Sequence, residues 1–357
     1  EIGVPNACNQ AGCHDDEPVK WSADAYTKWY GRARKPHYGT ILAAGRARAP
    51  EARDDLIALA QNALYPAIVR ATALSALGAY PGEETTAALK RALADEEALV
   101  RHTAVDSLAV QSSEELASLV APLLFDPVRA VRMRAVTQLA GVPPELLKPY
   151  QREAFDEVLE EYLEAMEYSL DFSFAGMNLG NLYAAQGRRD EAERFYRAAL
   201  EVDDLFYPAK MNLAVLLAGK GQNRESARLL REVLEAYPEQ HDAAYSLGLL
   251  LVELNRPGEA ATFLRRAAAG MPDAPRVHYN RGLLLQHLGE LAEAEAELRK
   301  AVDLASLNLD HLYALADHYG KRGMPTEALA VAERMIAAHP DNPVGHELKA
   351  VIERELR

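Results

Sequence analysis

Cysteine is almost missing from this chain: its 357 residues hold two, Cys8 and Cys13, in one short run near the start. No disulfide framework can therefore hold the remaining residues, which must be stabilised by packing. A basic excess is missing too. The formal charge is -14, which argues against a nucleic-acid partner, because phosphate recognition needs clustered Lys and Arg. No apolar run approaches the ~18–20 residues of a membrane span. No Gly-rich phosphate loop, nucleophile elbow or His-Glu-x-x-His motif occurs, so no residue is nominated as catalytic and an enzyme is not expected. Tryptophan occurs only as Trp21 and Trp29.

What is abundant is periodicity. A chain of this length exceeds one ordinary hydrophobic core, and a repeat array resolves the difficulty by letting each unit pack only on its neighbours. Five segments align at a spacing of 34 residues. Leu179, Gly180, Tyr183, Gly187, Ala192, Tyr196 and Ala199 set the frame, and Leu213, Ala214, Leu217, Gly221, Leu234 and Pro238 repeat it. Leu247, Gly248, Leu251, Ala260, Leu264, Ala267 and Pro272 follow, then Gly282, Leu285, Gly289, Ala294, Leu298 and Ala301, then Leu315, Ala316, Tyr319, Gly323, Ala328 and Pro340. Small residues recur where two antiparallel helices must approach, since larger ones would push them apart. Pro238, Pro272 and Pro340 end their second helices. These residues resemble the tetratricopeptide family, which implies a right-handed superhelix with a groove lined by the first helix of each pair.

Upstream a period of 31 appears in Val69-Arg70, Val100-Arg101 and Val131-Arg132, each followed by Ala (73, 104, 135) and Leu (77, 108, 139). It resembles HEAT repeats. Asp95 and Asp126 each precede an Arg by six residues, as in the Asp–Arg ladder of that family, and the first copy lacks the Asp. Between the arrays, residues 151–169 read as an amphipathic helix with Phe155, Val158, Leu159, Tyr162 and Met166 on one face. Its other face, Glu153 to Glu167, is acidic and is read as solvated, with steering of a basic partner as the alternative.

The expected fold class is all-α, an α-solenoid. The expected layout is a segment 1–48, HEAT-like repeats over 49–145, a linking helix over 146–170, five tetratricopeptide repeats over 171–340 and a capping helix over 341–357. Residues 1–48 carry seven Lys/Arg against five Asp/Glu, so the acidic surface belongs to the repeats.

Residues 8–14 read Cys-Asn-Gln-Ala-Gly-Cys-His. Two thiols followed directly by a histidine can attach haem c covalently, with Cys8 and Cys13 forming thioethers and His14 binding the iron as proximal axial ligand. A local Cys8–Cys13 disulfide and a zinc site of Cys8, Cys13, His14 and Asp15 are the competing readings. His37 is the nearest candidate for a distal axial ligand. Trp21, Ala25 and Trp29 form one helical stripe, expected to pack against the first HEAT-like helix.

The surrounding residues, Pro5-Asn6-Ala7-Cys8-Asn9-Gln10, Trp21, Ala23-Asp24-Ala25, Lys28-Trp29-Tyr30-Gly31 and Arg34-Lys35-Pro36-His37-Tyr38-Gly39, resemble multihaem c-type cytochromes that carry HEAT-like and tetratricopeptide repeats after their haem domain. There the motif is C-x2-C-H, two residues shorter than here. The resemblance implies electron transfer, an extracytoplasmic location, contact with other cytochromes and a sequence that continues upstream of Glu1. The alternative is a haem-free scaffold with a local disulfide.

Tyr245, Tyr279 and Tyr313 recur at one position of three successive first helices and are the expected contacts for a protein partner in the groove, with ordinary packing of the groove as the alternative. Asn178 and Asn181 correspond to positions where some tetratricopeptide proteins hold a terminal carboxylate, but Met177 and Met211 stand where the lysines of that clamp are expected. His278, His287, His311 and His318 are read as scattered surface histidines.

Overall fold

A computed structural model describes residues 14, 16–31 and 37–355. Every regular element among them is a helix, twenty α-helices and three short 3-10 turns, with no strand among the described residues. They form two compact units that meet in sequence between Ala165 and Met166. Each unit is an α-solenoid.

In the first unit, α1 (Val19–Tyr30) and α2 (Tyr38–Arg46) precede three helix pairs: α3 (Ala52–Gln61) with α4 (Ala67–Ala76), α5 (Glu83–Ala92) with α6 (Ala98–Ser107), and α7 (Ser113–Val120) with α8 (Arg129–Leu139). The second helices α4, α6 and α8 stack side by side. Their contact faces are the recurring residues: Val69, Val100 and Val131, Ala73, Ala104 and Ala135, and Leu77, Leu108 and Leu139 are all buried. Alanine at the centre of that stripe lets the helix backbones approach, and the flanking Val and Leu fill the space left on either side.

A polar ladder runs beside this core. Arg70 grips Asp95 through both guanidinium Nη atoms. Arg101 donates from Nε and Nη2 to the two oxygens of Asp126 at 2.6 and 2.9 Å. Each Arg of the next step also donates backwards, Arg101 to the Asp95 carbonyl at 2.7 Å and Arg132 to the Asp126 carbonyl at 2.9 Å. The first repeat, which has no Asp, still joins, because its Arg70 also donates Nε to the Ala60 carbonyl at 3.0 Å. The ladder ends on α9 (Pro149–Tyr168), where Glu161 accepts from Arg132 at 2.9 and 3.0 Å. Glu161 also meets Arg129 at 2.9 Å. The acidic face of α9 is therefore not wholly solvated: one of its carboxylates closes the ladder.

The Trp21-Ala25-Trp29 stripe does not behave as a core face. Trp29 is 69% exposed, and the rings of α1 engage locally, Trp21 with His14 at 4.5 Å and Tyr26 with Tyr30 at 4.9 Å between centroids.

In the second unit the 34-residue period is kept to the residue. First helices are α10 (Ser173–Ala185), α12 (Tyr207–Gly219), α14 (His241–Glu253), α16 (Pro275–Leu288) and α18 (Leu309–Lys321). Second helices are α11 (Arg189–Val202), α13 (Asn223–Ala236), α15 (Pro257–Gly270), α17 (Leu291–Leu304) and α19 (Pro325–Ala338), and α20 (Pro343–Glu355) packs on α19. Proline at the first position of α15, α16, α19 and α20 suits the helix start, where its missing N–H is unpaired anyway.

The turn inside each pair needs one left-handed residue, which Gly187, Gly221, Gly289 and Gly323 supply at φ between 66 and 80°. Asn255 takes that place in the third repeat at φ 57°, the conformation Asn tolerates best among residues with a Cβ. Within the pairs, a Cβ on Gly180 would lie 2.4 Å from the Tyr196 ring. In the second repeat Ser226 replaces the usual Ala; buried, it donates to the Ala214 carbonyl at 2.7 Å and so leaves no bare hydroxyl in the core.

Candidate partner-binding face

The first helices α10, α12, α14, α16 and α18 lie beside one another and line one face of the second unit. Helical spacing places residues i, i+3 and i+7 of each on that face. The i+3 row reads Met177, Met211, Tyr245, Tyr279 and Tyr313, and the i+7 row Asn181, Val215, Leu249, Leu283 and Asp317. The i+3 row thus passes from thioethers to aromatic rings, while the i+7 row is aliphatic between a polar Asn181 and a charged Asp317.

The three tyrosines are partly open in different degrees. Tyr245 and Tyr279 are half-buried and Tyr313 is 47% exposed. Tyr245 is held through its hydroxyl, which accepts from Asn280 Nδ2 at 2.5 Å. Tyr279 is held through its ring, 5.0 Å from that of His311. Burial, helped by the Asp310 charge, raises the Tyr279 phenol above its ordinary value, so it stays a neutral donor.

Polar bonds tie the neighbouring helices laterally. Asn181 Oδ1 accepts from Tyr196 Oη and from Asn212 Nδ2, both at 2.8 Å. Asn178 donates to the Met166 sulfur at 3.8 Å. Both asparagines are thus engaged inside the unit, which agrees with the lack of a lysine clamp beside them. Gln286 donates to Asp317 at 3.2 Å, and Lys321 meets the same carboxylate at 2.7 Å. These bonds fix the rotamers of the face, so a ligand would meet a preformed surface.

The histidines depart from the surface reading. His278, His311 and His318 are 2%, 3% and 0% exposed, and only His287 of the four is at the surface. His278 lies between two acceptors, Glu297 Oε2 at 2.6 Å from Nδ1 and the Pro272 carbonyl at 3.0 Å from Nε2. Periodicity could not show this, because none of these positions carries histidine in the other repeats. Among the described residues no cluster of three His, Cys, Asp or Glu could hold a metal ion.

Of the expected haem ligands, Cys8 and Cys13 lie outside the described residues, as does Asp15 of the zinc reading. His14 is exposed beside Trp21. His37 caps α2: its Nδ1 accepts from the Gly39 amide at 3.0 Å, which leaves Nε2 as the atom that could reach iron. No described contact joins the two histidines to one site.

Comparisons with known proteins bear on the repeats. Tetratricopeptide-repeat family models match residues 176–202, 211–275, 275–300 and 309–334, and a HEAT-repeat model matches residues 37–109. Both repeat types are thus detected, in the order the periods place them, and the chain is an all-α solenoid carrying both. Residues 1–36 fall outside these family matches, none of which is a cytochrome family.

Among solved structures, the chain is similar to YrrB, described as a TPR protein with an unusual peptide-binding site, at 24% identity and a TM-score of 0.47 over 54% of this chain and 97% of that one. MamA from Desulfovibrio magneticus is 18% identical, with a TM-score of 0.45, over 48% and 96%. A thermophilic TPR protein of Thermus thermophilus is 24% identical, with a TM-score of 0.38, over 52% and 98%. No curated protein matches the chain.

Proposed function

We propose that this chain is a protein-interaction scaffold in which the first-helix face of the second unit holds an extended segment of a partner protein. The observation that carries the reading is the row of Tyr245, Tyr279 and Tyr313 at one register of three adjacent helices, continued by Met211 and Met177. Tyrosine offers a large, stiff surface with a polar tip at a cost of only two rotatable bonds, and methionine fills irregular gaps beside it. The Asn280 bond to Tyr245 and the His311 ring against Tyr279 hold two members of that row in place before any ligand arrives. The scaffold reading does not require haem at Cys8, Cys13 and His14. Capping α2 through Nδ1 leaves His37 Nε2 open, so the cap does not decide for or against haem. Haem attachment rests on the N-terminal sequence alone while the family matches concern the repeats, and the haem-free alternative is preferred.

The test is affinity. Peptides selected on the full chain from a displayed proteome library should share one competitive site. The Tyr279→Ala/Tyr313→Ala variant should weaken them by about ten-fold or more, the loss expected when aromatic anchors are truncated. Peptides that bind that variant unchanged would place the partner elsewhere. Haem is checked separately: protein matured where covalent attachment operates should show no Soret band and no added haem mass.

A further inference from the structure

The last repeat holds two buried imidazoles, each with one nitrogen left without a partner. His318, on α18, pairs through Nδ1 with Gln286 Oε1 at 2.9 Å, while its Nε2 is buried and meets no hydrogen-bond partner among the described residues. As Gln286 Oε1 is an acceptor, the proton sits on Nδ1 and Nε2 carries a bare lone pair. His311, two turns earlier on α18, has its ring against Tyr279, and its Nδ1 is likewise buried without a partner. Both rings are buried on α18, the helix whose Leu312 and Leu315 enter one apolar core with Leu298, Val302 and Met335.

A neutral imidazole suits that interior, because a lone pair is less costly to bury than an N–H cation. A second proton would place a charge and an unmet donor in the core of the repeat. The charged groups around each ring offer little relief. His318 is faced on its own helix by Asp317 and Lys321, by Arg322 at the C-cap of that helix, and from α17 by Glu295. The two acids are already committed, Glu295 to Arg322 and Asp317 to Lys321. His311 is faced by Asp310 on its own helix, by Arg276 and Tyr279 on α16, and by the Ala301 carbonyl on α17. From α19 the apolar core receives Ala328, Val331, Ala332 and Met335, with Leu329 half-buried against it, and Glu327 is the α19 carboxylate that acts on the adjoining Tyr319.

We propose that His311 and His318 form a proton-operated latch on the C-terminal end of the solenoid: both are neutral in the closed stack, and protonation releases α18 from α16 and α17 while the first two repeats stay folded. His278 is not part of the latch, since neither of its nitrogens is left without a partner. Release would carry away Tyr313 and strip Tyr279 of its ring partner. The inference concerns the chain's own stability and holds whether or not the face binds a peptide.

Burial holds both rings below their ordinary histidine value, with Ala301 and Asp310 opposing it at His311 and Arg322 reinforcing it at His318. The unfolded chain therefore binds protons that the closed stack refuses. The stabilisation is complete above the ordinary histidine value of about 6.5 and is lost as pH falls below it.

The experiment is hydrogen exchange read by mass spectrometry on the full chain at about pH 7.5 and about pH 5.5, corrected for intrinsic exchange. Protection of residues 309–352 should drop about ten-fold or more while residues 173–236 change by less than about two-fold. The His311→Phe/His318→Gln variant should keep its protection at both pH values. If that variant does not fold, imidazole 15N shifts of the wild-type chain decide, and both rings should gain their second proton where protection is lost. Equal protection at the two pH values overturns the latch, as does an undiminished drop in the variant. So does ring protonation that leaves the last repeat closed.

Discussion

At the scale of single residues, the second unit depends on where a side chain is forbidden or just tolerated. The turn between α14 and α15 asks for a left-handed residue, and Asn255 fills it at φ 57° where four other repeats use glycine. A left-handed backbone costs an ordinary L-residue about 1–2 kcal/mol, and Asn less because its side chain can bond locally. Asn255→Gly should leave the thermal midpoint unchanged or slightly higher. Asn255→Val should destabilise by about 1–2 kcal/mol, read from denaturant midpoints at constant slope. Gly180→Ala acts differently. The added methyl would lie 2.4 Å from the Tyr196 ring, and overpacking of this kind costs about 1–3 kcal/mol. The glycines were legible in the sequence because the same steric limit returns every 34 residues. Asn255 was not, since the period showed only that glycine was missing.

At the scale of elements, the stack of α4, α6 and α8 is bound by the arginine ladder as well as by its apolar stripe. The carboxylates of Asp95 and Asp126 are pushed up by burial, but the guanidinium donors of Arg70 and Arg101 and the Glu97 and Val128 amides outweigh it and hold both below the usual carboxylate range. Removing one partner leaves the other buried and uncompensated, which costs about 3–5 kcal/mol. Arg101→Ala should therefore cost far more than Arg101→Ala placed in an Asp126→Asn background, and a double-mutant cycle in urea measures the difference.

The sign of the pH effect follows from the same shifts. Folded carboxylates titrate below unfolded ones, so the ladder's contribution is complete above the ordinary Asp value and is lost as pH falls below it. Circular dichroism melts between about pH 5 and 2 should show that loss for the wild-type chain and less of it for Asp126→Asn. The ladder's middle was legible from the six-residue offset between Asp and Arg. Its end was not: Arg132 meets a glutamate 29 residues on, whereas Arg101 meets Asp126 after 25. Glu161 lies on a helix outside the period, among acids that composition alone assigns to solvent. The buried histidines escaped for a related reason, because a polar residue is buried by the particular partners that distant helices bring to it, and no local pattern encodes those partners.

At the scale of the whole molecule, a stack of repeats has no single core to fail. Each helix pair is stabilised by its own packing and by its neighbours, so the end of an array is stable only if something covers its last apolar face. Helix α20 does so for the second unit. Ile352 is buried in the core of the fifth repeat, and Val344 and Leu348 pack on that core half-buried. Gly345 brings α20 close to α19, with room for a Cβ only 3.0 Å from Ile336 Cγ1 and 3.2 Å from Met335 Cβ. Ile352→Ala should destabilise this end by about 2 kcal/mol, the lower range for emptying a buried aliphatic site. Because coupling runs from neighbour to neighbour, the loss should be graded along the chain. Exchange protection should fall most in residues 309–338, less in 275–304 and hardly at all in 173–202. The deficit should persist at about pH 7.5, where both latch histidines are neutral. A uniform loss of protection across all five repeats would mean that the second unit unfolds as one cooperative block, and the nearest-neighbour account of its stability would have to be abandoned.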